Sequence, residues 1–309
     1  MFRILQYVII TVIFSLHFVF MLQAQIQKTD SGTIELYPDF KSKYVTPRHI
    51  EVWFPEHFKK GMDVSVLYMH DGQMLYDYTS TWNQQSWNVD STAAALMSAG
   101  KIKDCIIVGI WNGGTTRHKD YFPEKPFLSL KEEEKKWVQE ELKKAGRTTE
   151  VFEPVSDDYL KCLVFEIKPF VDSVYQLSGT KNKTFVSGSS MGGLISMYAI
   201  MEYPDVFGGA ACLSTHWPGV FNMEGNPVPQ AFTNYIGGRL PLLKDNRLYF
   251  DYGDGTLDAL YPPLQKEVDK VLTSYPKSLW TSRFFPGKDH SEKAWAERFG
   301  SVLLYLLGK

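Results

Sequence analysis

Short runs rich in β-branched and aromatic residues recur along the chain, separated by stretches whose apolar positions have helical spacing. The runs over 48–54, 64–69, 105–111, 183–186, 209–213, 247–252 and 280–285 read as strands. Helical spacing marks 159–175, 192–202, 264–275 and 292–307. The strand runs are almost continuously apolar, as strands covered on both faces are. Their alternation with helices predicts an α/β fold, a mainly parallel twisted sheet with helices on both faces. No helical pattern separates the first two strands, which predicts that they pair as a hairpin and give the sheet an N-terminal antiparallel edge.

Two segments break the rhythm. Residues 112–156 form an insertion longer than an ordinary connection. Its centre, Lys131 to Lys144, is mostly Lys and Glu, with Trp137, Val138 and Leu142 toward one side, the pattern of a solvated helix with a narrow apolar stripe. Such a segment is either a passive surface helix or a lid over a site, and the pattern favours neither. The other segment is 1–24. Arg3 precedes an almost uncharged apolar run from Ile4 to Leu22, and Ala24 offers the small residue of a cleavage site, the layout of a signal peptide. An uncleaved anchor is the rival, since the run approaches a bilayer-spanning length, but Gln6 and His17 interrupt it. The expectation is a single domain over 25–309, secreted or periplasmic, with no stable membrane association after cleavage.

Composition narrows the partners. With 33 Lys and Arg against 35 Asp and Glu, the formal net charge of −2 gives no electrostatic reason to expect nucleic acid. A small-molecule or carbohydrate substrate fits better. Only Cys105, Cys162 and Cys212 are present, and no disulfide is expected even in an oxidising compartment.

The chemistry concentrates where the fourth strand runs into Ser187-Gly188-Ser189-Ser190-Met191-Gly192-Gly193 and then a helix. This is a G-x-S-x-G sequence at a strand-to-helix turn, where a serine is projected above the sheet and flanking glycines remove side chains that would clash. Ser190 is the expected nucleophile. The N–H of Met191, at the helix start, is one expected oxyanion donor. Of the two histidines after Ser190, His290 follows the last strand and opens the last helix, the place of a general base, whereas His216 comes before any acid-bearing strand. The acid should follow the strand over 247–252, where Asp254 and Asp258 both stand and Asp254 has the alternative reading of an Asp-Gly turn residue. The second oxyanion donor is expected from the turn after Met69-His70-Asp71, at Gln73 or Gly72. No second ligand cluster accompanies His70-Asp71, so no metal site is expected. Trp82, Trp87, Trp111 and Trp217 lie near strand ends or loops and are candidate stacking platforms for a sugar or aromatic substrate.

The motifs Pro47-Arg48 with Val52-Trp53-Phe54-Pro55, Tyr68 to Gln73, Gly109-Ile110-Trp111-Asn112 with Arg117 and Tyr121, Gly188 to Gly193, Tyr203-Pro204 with Phe207, Leu257-Asp258, and Gly287 with His290 span nearly all of 25–309. Together they resemble an esterase family of α/β-hydrolases. It includes siderophore (enterobactin-type) esterases, feruloyl and acetyl xylan esterases, S-formylglutathione hydrolase and the mycolyltransferases. The resemblance implies ester hydrolysis without a cofactor, a triad of Ser190, Asp258 and His290, and a role for Arg117 in shaping the substrate side. The charged insertion is not part of that family pattern. Two other readings use the same scaffold: acyl transfer to a sugar acceptor, and a catalytically silent binding protein.

Overall fold

The computed structural model describes residues 24–29 and 31–309. Apart from Ala24, the expected leader lies outside the described residues. The strands are β1 (Gln25–Thr29), β2 (Gly32–Phe40), β3 (Arg48–Phe54), β4 (Ser65–His70), β5 (Cys105–Ile110), β6 (Thr184–Ser189), β7 (Gly209–Leu213), β8 (Arg247–Tyr252) and β9 (Trp280–Phe284). They form one sheet in the order β1-β2-β3-β5-β4-β6-β7-β8-β9. From β5 to β9 all neighbours are parallel; β1, β2 and β3 join antiparallel at one edge.

The antiparallel edge is as expected, but the expected hairpin between the first two apolar runs is not. β3 pairs with β5, and β4 lies one place further in, between β5 and β6. All six residues of β4 are buried, so it is accommodated only inside the sheet, while β3 alternates buried and half-buried positions. The edge hairpin is β1 with β2 instead. β2 escaped the pattern because its register shifts between Tyr37 and Phe40, around the left-handed Asp39, φ 50°.

The helices are α1 (Val89–Ser98), α2 (Arg117–Tyr121), α3 (Glu124–Leu128), α4 (Glu132–Lys144), α5 (Ser156–Cys162), α6 (Lys168–Tyr175), α7 (Met191–Glu202), α8 (Val228–Arg239), α9 (Tyr261–Leu272) and α10 (Glu292–Leu307). A π-helical turn over Leu163–Ile167 joins α5 to α6 just ahead of Pro169, which has no N–H to continue a regular ladder. Helices α1 and α10 cover one face of the sheet, through Ala93, Met97, Phe299 and Val302; α5 to α9 cover the other. Eleven of the twelve residues of α7 are buried, which makes it the central helix. Cys105, Cys162 and Cys212 are buried and unpaired. No helix among the described residues is long and apolar enough to cross a membrane.

The insertion is ordered into α2, α3 and α4. The stripe read on α4 docks it: Val138 and Leu142 are fully buried and Trp137 packs beside them. Half-buried Lys135 and Glu141 flank the stripe and pair at i,i+3 with exposed Glu132 and Lys144.

Candidate active site

Parallel strands bring all their carboxyl ends to one edge, where ligands of such sheets bind. Here β4 delivers Asp71, β5 Asn112, β6 Ser190, β7 Ser214 and His216, β8 the loop from Gly253 to Asp258, and β9 the segment that reaches His290. These segments border a cavity of about 740 Å³.

Ser190 sits at φ 56°, ψ −121°, a conformation that L residues rarely adopt, directly between β6 and α7. The neighbouring glycine makes this possible: a Cβ on Gly188 would meet the backbone of Gly192 at 2.8 Å. The strained turn is pinned on both sides. Ser190 N–H donates to the Leu213 carbonyl at 3.0 Å, and the Ser190 carbonyl accepts from Gly193, Leu194 and His216. Beside it on the cavity, His216 Nδ1 is hydrogen-bonded to the Tyr261 phenol at 2.9 Å. Met191 opens α7, so its N–H has no carbonyl in the preceding turn to bond.

His290 and Asp258 meet: Nδ1 stands 2.6 Å from the Asp258 Oδ1. Asp258 is completely buried, and its other oxygen accepts from Gly253 N–H at 2.7 Å and from the Ser214 hydroxyl at 2.6 Å. Ser214 in turn accepts from Trp295 Nε1 and Arg298, one turn apart on α10. An ionised carboxylate only accepts, so in this bond Nδ1 of His290 is the donor and Nε2 is the ring nitrogen turned away from Asp258. The imidazole is held edge-on against Trp295, 4.9 Å between centroids. Asp254 is elsewhere: it is exposed, and its carboxylate accepts from Gly287 N–H at 2.6 Å, a turn contact. Behind Ser214, Arg298 pairs with buried Asp251 at 3.0 Å, and burial still raises that carboxyl to about 6.

The β4 turn supplies the opposite wall. Asp71 takes a left-handed conformation, and Arg117 grips its carboxylate through two bonds of 2.7 Å while Asn112 adds a third. Burial alone would raise Asp71, but Arg117 holds its carboxyl below the usual range. Arg117 lines the cavity with its charge already engaged by Asp71. The Gln73 side chain accepts from Asn112 N–H at 3.2 Å, which fixes the turn that carries the Gln73 N–H. His70, buried and bonded to the Tyr159 phenol, is pushed down to about 3 by burial and stays neutral.

Two tryptophans proposed as substrate platforms are not on the cavity. Trp217 is buried beside Phe250, its Nε1 donating to Gln265 at 2.8 Å. Trp111 stands edge-on to His49, outside the lining. The other two, Trp82, 85% exposed on the rim, and buried Trp87, do border the cavity, as does Phe221. The sequence reading did not reach Ser214, Tyr261, Trp295, Arg298 or Arg147. For Trp295 and Arg298 the i,i+3 spacing just after His290 was a usable signal.

The family described as "Putative esterase" matches residues 43–304. This chain belongs to it. The protein is therefore an esterase, a hydrolase of carboxylic esters. No curated protein sequence matches the esterase. Among solved structures it is similar to the CE1 ferulic acid esterase of the anaerobic fungus Anaeromyces mucronatus (19% identity, 90% of this chain and 92% of that one, TM-score 0.61). It is similar also to a siderophore hydrolase of Aspergillus nidulans (14%, 88% and 94%, TM-score 0.65). An IroE-like serine hydrolase of Shewanella oneidensis is a third (15%, 92% and 79%, TM-score 0.61). At these identities the likeness is one of fold.

Proposed function

We propose that the esterase works by a serine mechanism in which Ser190 is the nucleophile, His290 the base and Asp258 the acid. The observation that carries this reading is the Asp258 to His290 bond of 2.6 Å on the same cavity as the strained Ser190 turn. In the first step His290 Nε2 takes the Ser190 proton as the serine oxygen bonds to the ester carbonyl carbon. The N–H groups of Met191 and Gln73 receive the negative oxygen. The imidazolium, facing the buried Asp258 carboxylate, returns the proton to the leaving alcohol, and water repeats the sequence on the acyl enzyme. The mechanism needs no cofactor, so a chelator should leave the rate unchanged.

For substrate, we infer an ester of a carbohydrate, a hydroxycinnamate or a siderophore. The named ferulic acid esterase and siderophore hydrolase of similar fold support this, as does the exposed Trp82 on the cavity rim. We place the esterase outside the cytoplasm, in the periplasm or secreted, on the strength of the leader pattern in 1–24. Likewise 25–309 is read as one domain. Replacing Ser190 by Ala tests the mechanism: hydrolysis of 4-nitrophenyl acetate should fall to background with the far-UV circular dichroism unchanged, and a fully active variant would refute it.

A further inference from the structure

The insertion contributes a residue to the cavity that the proposed reaction does not use. Arg147 follows α4, and its N–H donates to the Leu142 carbonyl at 2.8 Å over the left-handed Gly146. That bond closes the helix end and fixes where the side chain starts. The guanidinium lies 5.4 Å from the centroid of Phe221, and Phe221 packs against His216. Unlike Arg117, whose charge is matched by Asp71, Arg147 enters no ion pair among the described residues. The wall beside it carries unpartnered ring nitrogens as well. His118 and His216 border the same cavity, both more than nine-tenths buried, and in each Nε2 has no partner among the described residues. Burial and the nearby guanidinium groups keep both rings neutral.

Arg147 also borders a second cavity, of about 340 Å³, lined by Thr115, Thr116, Thr148 and Thr149 with Lys119 and Glu150, whose opposite charges stand 4.0 Å apart and leave Arg147 as the unmatched one. The Thr116 and Thr148 hydroxyls donate to Asp120 and to the Glu150 carbonyl and keep lone pairs that suit the hydroxyl groups of a polyhydroxylated ligand, and an unmatched guanidinium at the junction suits a planar carboxylate. We propose that this second cavity and Arg147 form a subsite for an acidic sugar, a hexuronate unit neighbouring the ester that Ser190 attacks. The proposal rests on the esterase site described above and narrows its substrate to an ester carried on an acidic saccharide.

The test is equilibrium binding by calorimetry of trigalacturonate and of its neutral counterpart, galactotriose, to the full chain. Trigalacturonate should bind at least about tenfold more tightly, since a carboxylate gripped by an arginine fork is a strong contact. The preference should shrink as salt is raised. Arg147→Gln should remove the preference, and Arg147→Lys should retain part of it. Equal binding of the two saccharides, no binding of either, or a preference that survives in Arg147→Gln or is indifferent to salt would overturn the proposal. Binding is read without turnover, so its failure leaves the serine mechanism standing, and an active Ser190→Ala variant would refute that mechanism whatever saccharide binds.

Discussion

Ser190, Asp258 and His290 each follow the carboxyl end of a sheet strand, whereas Arg147, Phe221 and Trp82 stand on loops and helix ends beyond the sheet. The floor is anchored on a buried carboxylate: Asp258 spends both oxygens on His290, Gly253 and Ser214. The rim holds its groups by backbone turns and ring packing, and leaves charge and aromatic surface open. A floor of this kind fixes geometry for a reaction to within a fraction of an ångström, and a rim of this kind selects what enters. Substitutions in the floor should therefore change kcat, and those in the rim KM.

The largest expected effect is in the floor. Asp258→Asn presents the wrong partner to His290 Nδ1 and should lower kcat at least about a hundredfold, at nearly unchanged KM. Asp254→Asn, on the same loop but bonded to Gly287, should stay within about tenfold of wild type. Stopped-time assays of both variants on one activated ester decide between them, and a crippled Asp254→Asn beside a normal Asp258→Asn would reverse the assignment.

Next in size is an effect on stability that both regions share. His70 in the floor and His118 in the rim are each pushed down to about 3, first of all by burial. An unfolded histidine titrates near about 6.5, so below that pH the unfolded chain binds protons that the folded chain refuses. Stability is thus present above about pH 6.5 and is lost as the pH falls toward 3. Between pH 7 and 5 each ring should cost on the order of 2 kcal/mol. Urea midpoints across this range measure the slope, and His118→Gln should reduce it; an unchanged slope would mean that His118 is protonated in the folded esterase.

The smallest effect belongs to the rim. Trp82→Ala should raise KM for an aromatic ester by about three- to tenfold with kcat and melting temperature unchanged, because the ring is 85% exposed and its loss leaves no void. A fall in kcat with KM unchanged would place Trp82 in the floor.

The same division decides what could be read from the sequence. The parallel strands were legible because burial on both faces leaves almost continuous apolar runs such as Cys105–Ile110. The G-x-S-x-G turn was legible because its glycines answer to local geometry. Pairing of β3 with β5 was not, since neighbours in a sheet are chosen by tertiary packing and both orders fit the same pattern. Trp111 and Trp217 were misplaced for a related reason: a tryptophan near a strand end faces core or solvent according to elements far away in the chain, here β3 and α9. α4 was visible as an amphipathic stripe, but no local signal reveals that the turn after it carries Arg147 to the cavity. Ser214 and Tyr261 are single polar residues in apolar surroundings and acquire meaning only beside Asp258 and His290.

The central claim is that the strained serine between β6 and α7 attacks the ester. Incubating the esterase with a serine-directed fluorophosphonate and locating the adduct by tandem mass spectrometry tests it most directly. The account predicts one adduct, on Ser190, formed much more slowly in Asp258→Asn. An adduct on any other residue, or complete hydrolytic activity after Ser190 has been modified, would contradict it.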